Sequence, residues 1–154
     1  MTKISKQLCG VAGEYYVAAE FSKRGYLAAI TLRNSDGIDI LVSDTNGEKS
    51  LSIQVKTTQN KRKWILTKKV ETGYSKNKYF VFVNIKSDLN CLPEYYIVNS
   101  EILANNIYHG HRRWLEEPGK NGRKRNDSSV RQFEPKYFDP SEILNWDQLI
   151  EILN

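Results

Sequence analysis

Gly37-Ile38-Asp39-Ile40-Leu41-Val42 and, after a polar interval, Leu51-Ser52-Ile53-Gln54-Val55-Lys56-Thr57 decide how this chain reads. Each run is rich in Ile, Val and Leu, the pattern of a buried strand. Ser43-Asp44-Thr45-Asn46-Gly47 lies between them and carries a turn-forming Asn-Gly pair, so the two strands read as a hairpin. Side chains alternate across a strand, which places Gln54 and Lys56 on one face and Ile53 and Val55 on the other. Asp39 interrupts an otherwise apolar run. A charge there calls for a compensating cation, either a nearby lysine or a bound metal ion. Two readings stand side by side for Asp39 and Lys56: a structural ion pair or solvated strand ends, and a metal-dependent phosphodiesterase site.

The 154 residues suit one domain, 1–154, with a real core. No stretch of about 18 apolar residues exists, so no membrane span is expected. Met1-Thr2-Lys3-Ile4-Ser5-Lys6 lacks the apolar core of a signal peptide. Cys9 and Cys91 stand in unrelated contexts. They read as reduced thiols of a cytoplasmic protein, each a small buried hydrophobe, and not as a disulfide or zinc pair. A net charge of +5 and a pI near 9.1 allow a polyanionic partner without requiring one.

Outward from the hairpin, Ser5 to Arg24 reads as a helix ended by Gly25. Val11, Val17, Ala18 and Phe21 fall on one face, with Glu14 among them. Glu14 is either a rim position or an acid delivered to the Asp39 neighbourhood, and Glu20 points elsewhere into solvent. Tyr26 to Leu32 reads as a strand, followed by the polar turn Arg33-Asn34-Ser35-Asp36-Gly37. Tyr79 to Ile85 is nearly all apolar, hence a central strand. Glu94 to Val98 pairs with it across a turn from Ser87 to Pro93. Ser100 reads as the N-cap of a short helix through Asn106. The core thus spans about residues 5–100, followed by a basic loop-rich segment, 109–131, and a C-terminal helix, 141–153, with Ile143, Trp146, Ile150 and Leu153 as its buried stripe.

A helix with Glu14, a strand, a strand with Asp39 and a strand with Gln54-Val55-Lys56 form a pattern that resembles the PD-(D/E)XK nuclease superfamily. The wording is closest to its archaeal Holliday junction resolvase-like branch: Gly13-Glu14, Gly25-Tyr26, Asn34-Ser35-Asp36-Gly37-Ile38-Asp39 and Ile53-Gln54-Val55-Lys56. The match covers about the first sixty residues. The resemblance implies an α/β, restriction-endonuclease-like core, a central mixed β-sheet flanked by helices. It implies a metal-dependent DNA endonuclease that hydrolyses phosphodiester bonds with Mg²⁺, or Mn²⁺ in its place, on duplex or branched DNA. Asp39 matches the family's bridging aspartate, Lys56 its lysine and Glu14 its helix glutamate. Gln54 stands where most members carry an acid. The implied metal donors are Asp39, Glu14, the side-chain oxygen of Gln54 and the carbonyl of Val55, a set of hard oxygens that suits Mg²⁺. The cation activates water and stabilises charge on phosphate, and Lys56 holds the attacking water or a phosphate oxygen. Losing one acid at Gln54 keeps a second reading open: an inactivated nuclease fold that binds nucleic acid or a protein partner. A homodimer is implied by resemblance alone.

Two basic tracts are candidate contacts to a DNA backbone: Lys61-Arg62-Lys63, and Arg112, Arg113, Lys120, Arg123, Lys124 and Arg125 within the later segment. The alternative for each is a solvated face. Ser35 reads as a turn cap or a phosphate contact. Trp64 and Trp114 read as core residues before base-stacking ones. His109 and His111 have the spacing of a strand metal pair but no third ligand, and read as loop histidines.

Overall fold

The computed structural model describes residues 4–32 and 37–154. Ser35 lies outside them. Helix α1 (Lys6–Ser22) is N-capped by the Ser5 side chain, which accepts from the Leu8 N–H at 3.2 Å. It ends at Gly25, φ +89°: the Tyr26 N–H bonds the Phe21 carbonyl and the Gly25 N–H bonds that of Ser22. Those two bonds satisfy carbonyls the helix leaves open, and the positive φ favours glycine. The expected stop is the observed one.

Seven strands follow among the described residues. They are β1 (Leu27–Ile30), β2 (Ile40–Ser43), β3 (Ser50–Gln59), β4 (Trp64–Thr67), β5 (Lys78–Ile85), β6 (Glu94–Asn99) and β7 (Val130–Phe133). Five of them form a mixed sheet in the order β1-β2-β3-β5-β6, with β3 and β5 parallel and the other neighbours antiparallel. Helices flank this sheet, so the α/β architecture with a central mixed sheet is the observed one, compatible with a restriction-endonuclease-like core. The hairpin expectation also holds: Ile40 pairs Ile53 and Val42 pairs Leu51. Its loop is longer than a two-residue turn. Asp44 organises it by accepting from the N–H groups of Glu48 and Lys49.

The sheet has a core on each face. On one side Cys9, Val17 and Phe21 of α1 pack against Ile40, Val42, Ile53, Val81 and Val83, joined by Leu149 and Leu153. On the other, helix α2 (Ser100–Glu116) contributes Leu103 and Ile107, which meet Phe80 and Phe82. A second, two-stranded sheet of β4 and β7 adds Trp64, Leu66 and Phe133 to that side. Burial on both faces explains why β5 reads as a continuous apolar run.

Six expectations change. The helix expected to stop at Asn106 continues to Glu116, so His109 to Glu116 are helical, and residues two apart on a helix do not face each other. Its cap is Asn99, which accepts from the Glu101 N–H; Ser100 is buried and bonds Ser75. The C-terminal helix is α3 (Trp146–Glu151), because Pro140–Glu142 forms a separate tight turn before it; Leu149 is its buried residue. Cys91 is exposed, whereas Cys9 is buried. Trp114 is half exposed and stacks on His111 and Arg125, whereas Trp64 is buried. Glu20 is not solvated alone; it pairs with Lys23 and Arg24, with 12% of its side chain exposed.

Candidate active site

The site begins with a glycine that brings a helix onto a strand. Gly13 lies on the buried face of α1, and a Cβ there would sit 1.8 Å from Thr57 Oγ1 on β3. Only a hydrogen fits, so α1 packs closely against β3. The next residue, Glu14, is thereby held at the rim of the sheet.

Opposite α1, β2 and β3 part company. Their ladder runs from Ser43–Ser50 to Ile40–Ile53 and closes with the Asp39 N–H on the Ile53 carbonyl at 2.8 Å. Beyond that point β3 continues for six residues without β2 beside it. Its odd-numbered backbone groups therefore face a gap. The Asp39 carboxylate turns into this gap, and Oδ2 accepts from the Val55 N–H at 2.7 Å. A strand residue's N–H and C=O point to the same edge, so the Val55 carbonyl faces the gap too. Asp39 Oδ1 accepts no hydrogen bond among the described residues. The half-buried Asp39 charge, expected to need compensation, thus receives a backbone donor first.

A cleft of about 310 Å³ opens beside Asp39, lined by Lys6, Gln7, Gly10, Val11, Glu14, Thr31, Ile38 and Asp39. Glu14 and Asp39 therefore share one cavity, although they come from different elements. Gln54 and Lys56 do not line it. They leave β3 on the face opposite Ile53 and Val55, as the alternation requires. Gln54 Oε1 lies 3.6 Å from where a Cβ on Gly37 would stand. Asp39 and Lys56 form no ion pair among the described residues, so the structural-pair alternative does not account for them.

The sequence reading missed Lys78 as a member of this neighbourhood. Its ammonium stands 2.9 Å from the same Cβ position on Gly37 and donates to the Gly73 carbonyl at 2.9 Å. Burial pushes its pKa down; the Asp39 charge opposes that shift and the Lys56 charge adds to it. The signal was present in the chain, since Lys78 opens the most apolar strand.

Glu14 and Asp39 bring two carboxylates to one cleft and the Val55 carbonyl faces the same gap, while the Gln54 amide leaves β3 on the opposite face. All are hard oxygen donors, which suits a small divalent cation such as Mg²⁺. Among the described residues no three His, Cys, Asp or Glu side chains gather.

The basic tracts divide into engaged and unengaged residues. Arg62 bonds Glu94 through Nε at 3.0 Å, and Lys63 lies 3.7 Å from Glu134. Arg125 donates to the Trp114 carbonyl and stacks on its ring. Arg112 sits over Tyr108. Lys61, Arg113, Lys120, Arg123 and Lys124 are exposed and make no ion pair among the described residues. Arg131 differs from its neighbours: it is buried and paired with Glu71.

No family model matches the chain, and no curated protein sequence matches it. No helix among the described residues is long and apolar enough to cross a membrane.

Proposed function

We propose that this protein is a Mg²⁺-dependent endonuclease that hydrolyses phosphodiester bonds in DNA, on the restriction-endonuclease-like core. The observation that carries the reading is the Asp39 carboxylate anchored on the Val55 N–H where β2 leaves β3, with Glu14 lining the same cleft. Asp39, Glu14 and the Val55 carbonyl would hold the cation, with Gln54 Oε1 as the neutral fourth donor. The chemistry such a cation supplies is acidification of water and neutralisation of charge on phosphate. The protein's own part is orientation. The Val55 N–H fixes one oxygen of Asp39, so the carboxylate loses little freedom on binding. Lys56, on the Gln54 face, supplies a positive charge for the attacking oxygen or the phosphate. The exposed lysines and arginines supply salt-sensitive affinity for a backbone.

The direct test incubates supercoiled plasmid and a branched duplex with the protein in Mg²⁺, in Mn²⁺ and in EDTA. Cleavage that needs the cation and is lost in Asp39→Ala is expected, a fall of about a hundredfold to a thousandfold, the scale of removing one preorganised charge-stabilising group. Equal cleavage by Asp39→Ala removes the reading.

Gln54 favours one second reading, a nuclease fold that binds nucleic acid without cutting it. In that case wild type binds DNA equally well in EDTA and in Mg²⁺, and Gln54→Glu gains cleavage.

A further inference from the structure

We propose that Lys78 is a second cation of this site, meeting a phosphate oxygen of the substrate, and that neutral Gln54 leaves that ammonium free to do so. The inference rests on the nuclease reading and assigns a residue that reading does not use.

Side chains from two strands, β3 and β5, converge on Gly37. Its φ of +76° favours glycine, and the Cβ of any other residue would stand 2.9 Å from the Lys78 ammonium and 3.6 Å from Gln54 Oε1. The absence of a side chain leaves room for both groups at one point. Lys78 stands beside Ser52 in the parallel ladder, so its side chain leaves the sheet on the Gln54–Lys56 face. It rests over the Phe80 ring, 5.6 Å from the centroid. A lysine at the first position of an apolar strand is held there by its stem and by the Gly73 carbonyl. Its head has no ion-pair partner among the described residues.

A carboxylate at position 54 would lie beside that head and pair with it. The amide does not, and an ammonium that burial has already made less favourable gains most from an incoming anion. A charge-assisted hydrogen bond in a partly desolvated site is among the strong ones. Gln54 and Lys78 thus act as a matched pair. One negative charge is absent from the cation's donors, and one positive charge is retained for phosphate.

The experiment measures kcat and KM for wild type, Lys78→Met, Lys78→Arg, Gln54→Glu and Asp39→Ala on one labelled duplex in Mg²⁺. It also measures Mg²⁺ affinity from the cation-dependent shift of Tm without DNA. Lys78→Met is expected to lose about tenfold to a hundredfold in kcat/KM, and Lys78→Arg to keep most of it. Mg²⁺ affinity should hold or rise in Lys78→Met, because a like charge has left the cation's surroundings. Gln54→Glu should bind Mg²⁺ more tightly yet cut no faster, its new carboxylate having paired with Lys78. Lys78→Met cutting as wild type does, while Asp39→Ala is dead, overturns the proposal and leaves the nuclease reading standing. Loss of Mg²⁺ affinity in both Lys78 variants also overturns it, because Lys78 would then only shape the cation site. A wild type that cuts no DNA in Mg²⁺ or Mn²⁺ overturns both.

Discussion

Gly13 shows how one missing methyl can set the position of a catalytic candidate. Ala is the better helix former by about 1 kcal/mol. Against this stands the overlap with Thr57, whose Oγ1, Cβ and Cγ2 all lie within 3.0 Å of the Cβ that Gly13 lacks. Rotating Thr57 leaves its own Cβ 2.9 Å from that position. Overpacking of this kind costs about 1–3 kcal/mol, so steric overlap wins over propensity. Gly13→Ala should therefore lower the denaturation midpoint, and it should lift α1 and Glu14 away from β3. Adding Thr57→Ala should recover part of the loss, since it removes two of the three clashing atoms. Thr57→Ala alone should cost little, because Oγ1 is buried without a hydrogen-bond partner among the described residues. Denaturant melts of the two single variants and the double variant check this; a Gly13→Ala protein as stable as wild type would mean that the helix does not sit so close.

At the scale of elements, Glu94 ties the turn after β3 to the β5–β6 pair. It accepts from Arg62 at 3.0 Å and from buried Asn84 at 2.9 Å, and it pairs with Lys86 at 2.7 Å. The Arg62 hydrogen bond, against an opposing desolvation, holds its carboxyl well below the ordinary value of 4.5. A carboxyl whose pKa is depressed on folding adds stability above its unfolded pKa, and that stability is lost as pH falls below 4.5. Wild type should therefore lose stability between about pH 5 and pH 3 more steeply than Glu94→Gln, and the two curves should converge in acid. Melts that stay parallel across that range would remove Glu94 from the account. The same elements show what could be read from the chain. The hairpin, the stop at Gly25 and β5 were legible because each depends on local pattern: alternation, a cap or a double-buried run. The β4–β7 sheet was not, because its four-residue strands lie more than sixty residues apart and neither has a period of its own. Arg131 carried the misleading signal. It sits in a basic tract, yet its charge is buried against Glu71, and only the fold brings them together. At the site, Asp39 and Glu14 were legible through their order in the chain. Lys78 was not, because its approach to Gln54 depends on a parallel crossover.

For the whole molecule, the surplus of five positive charges matters less than which cations are already engaged. Arg62, Lys63 and Arg125 each face an acid, Glu94, Glu134 and Glu117. A phosphate would have to displace those partners, with little net gain. Lys120, Arg123 and Lys124 stand exposed on the segment between α2 and β7, with no ion pair among the described residues. Their charges are open to a polyanion. Each phosphate neutralised releases counterions and steepens the dependence of log K on log salt by about 0.9 for duplex DNA. Replacing these three residues by Gln should therefore flatten the slope by roughly 2–3, with Tm unchanged. Arg62→Gln should do the reverse, lowering Tm with little change of slope, because its charge is spent on Glu94. The measurement is DNA affinity by fluorescence anisotropy across a salt series, beside a thermal melt of each variant. If the triple variant keeps the wild-type slope, the segment is a solvated face and the backbone is held elsewhere. If Arg62→Gln flattens the slope as much as the triple variant, the division into engaged and open cations is mistaken, and contacts in the free protein do not decide which charges meet DNA.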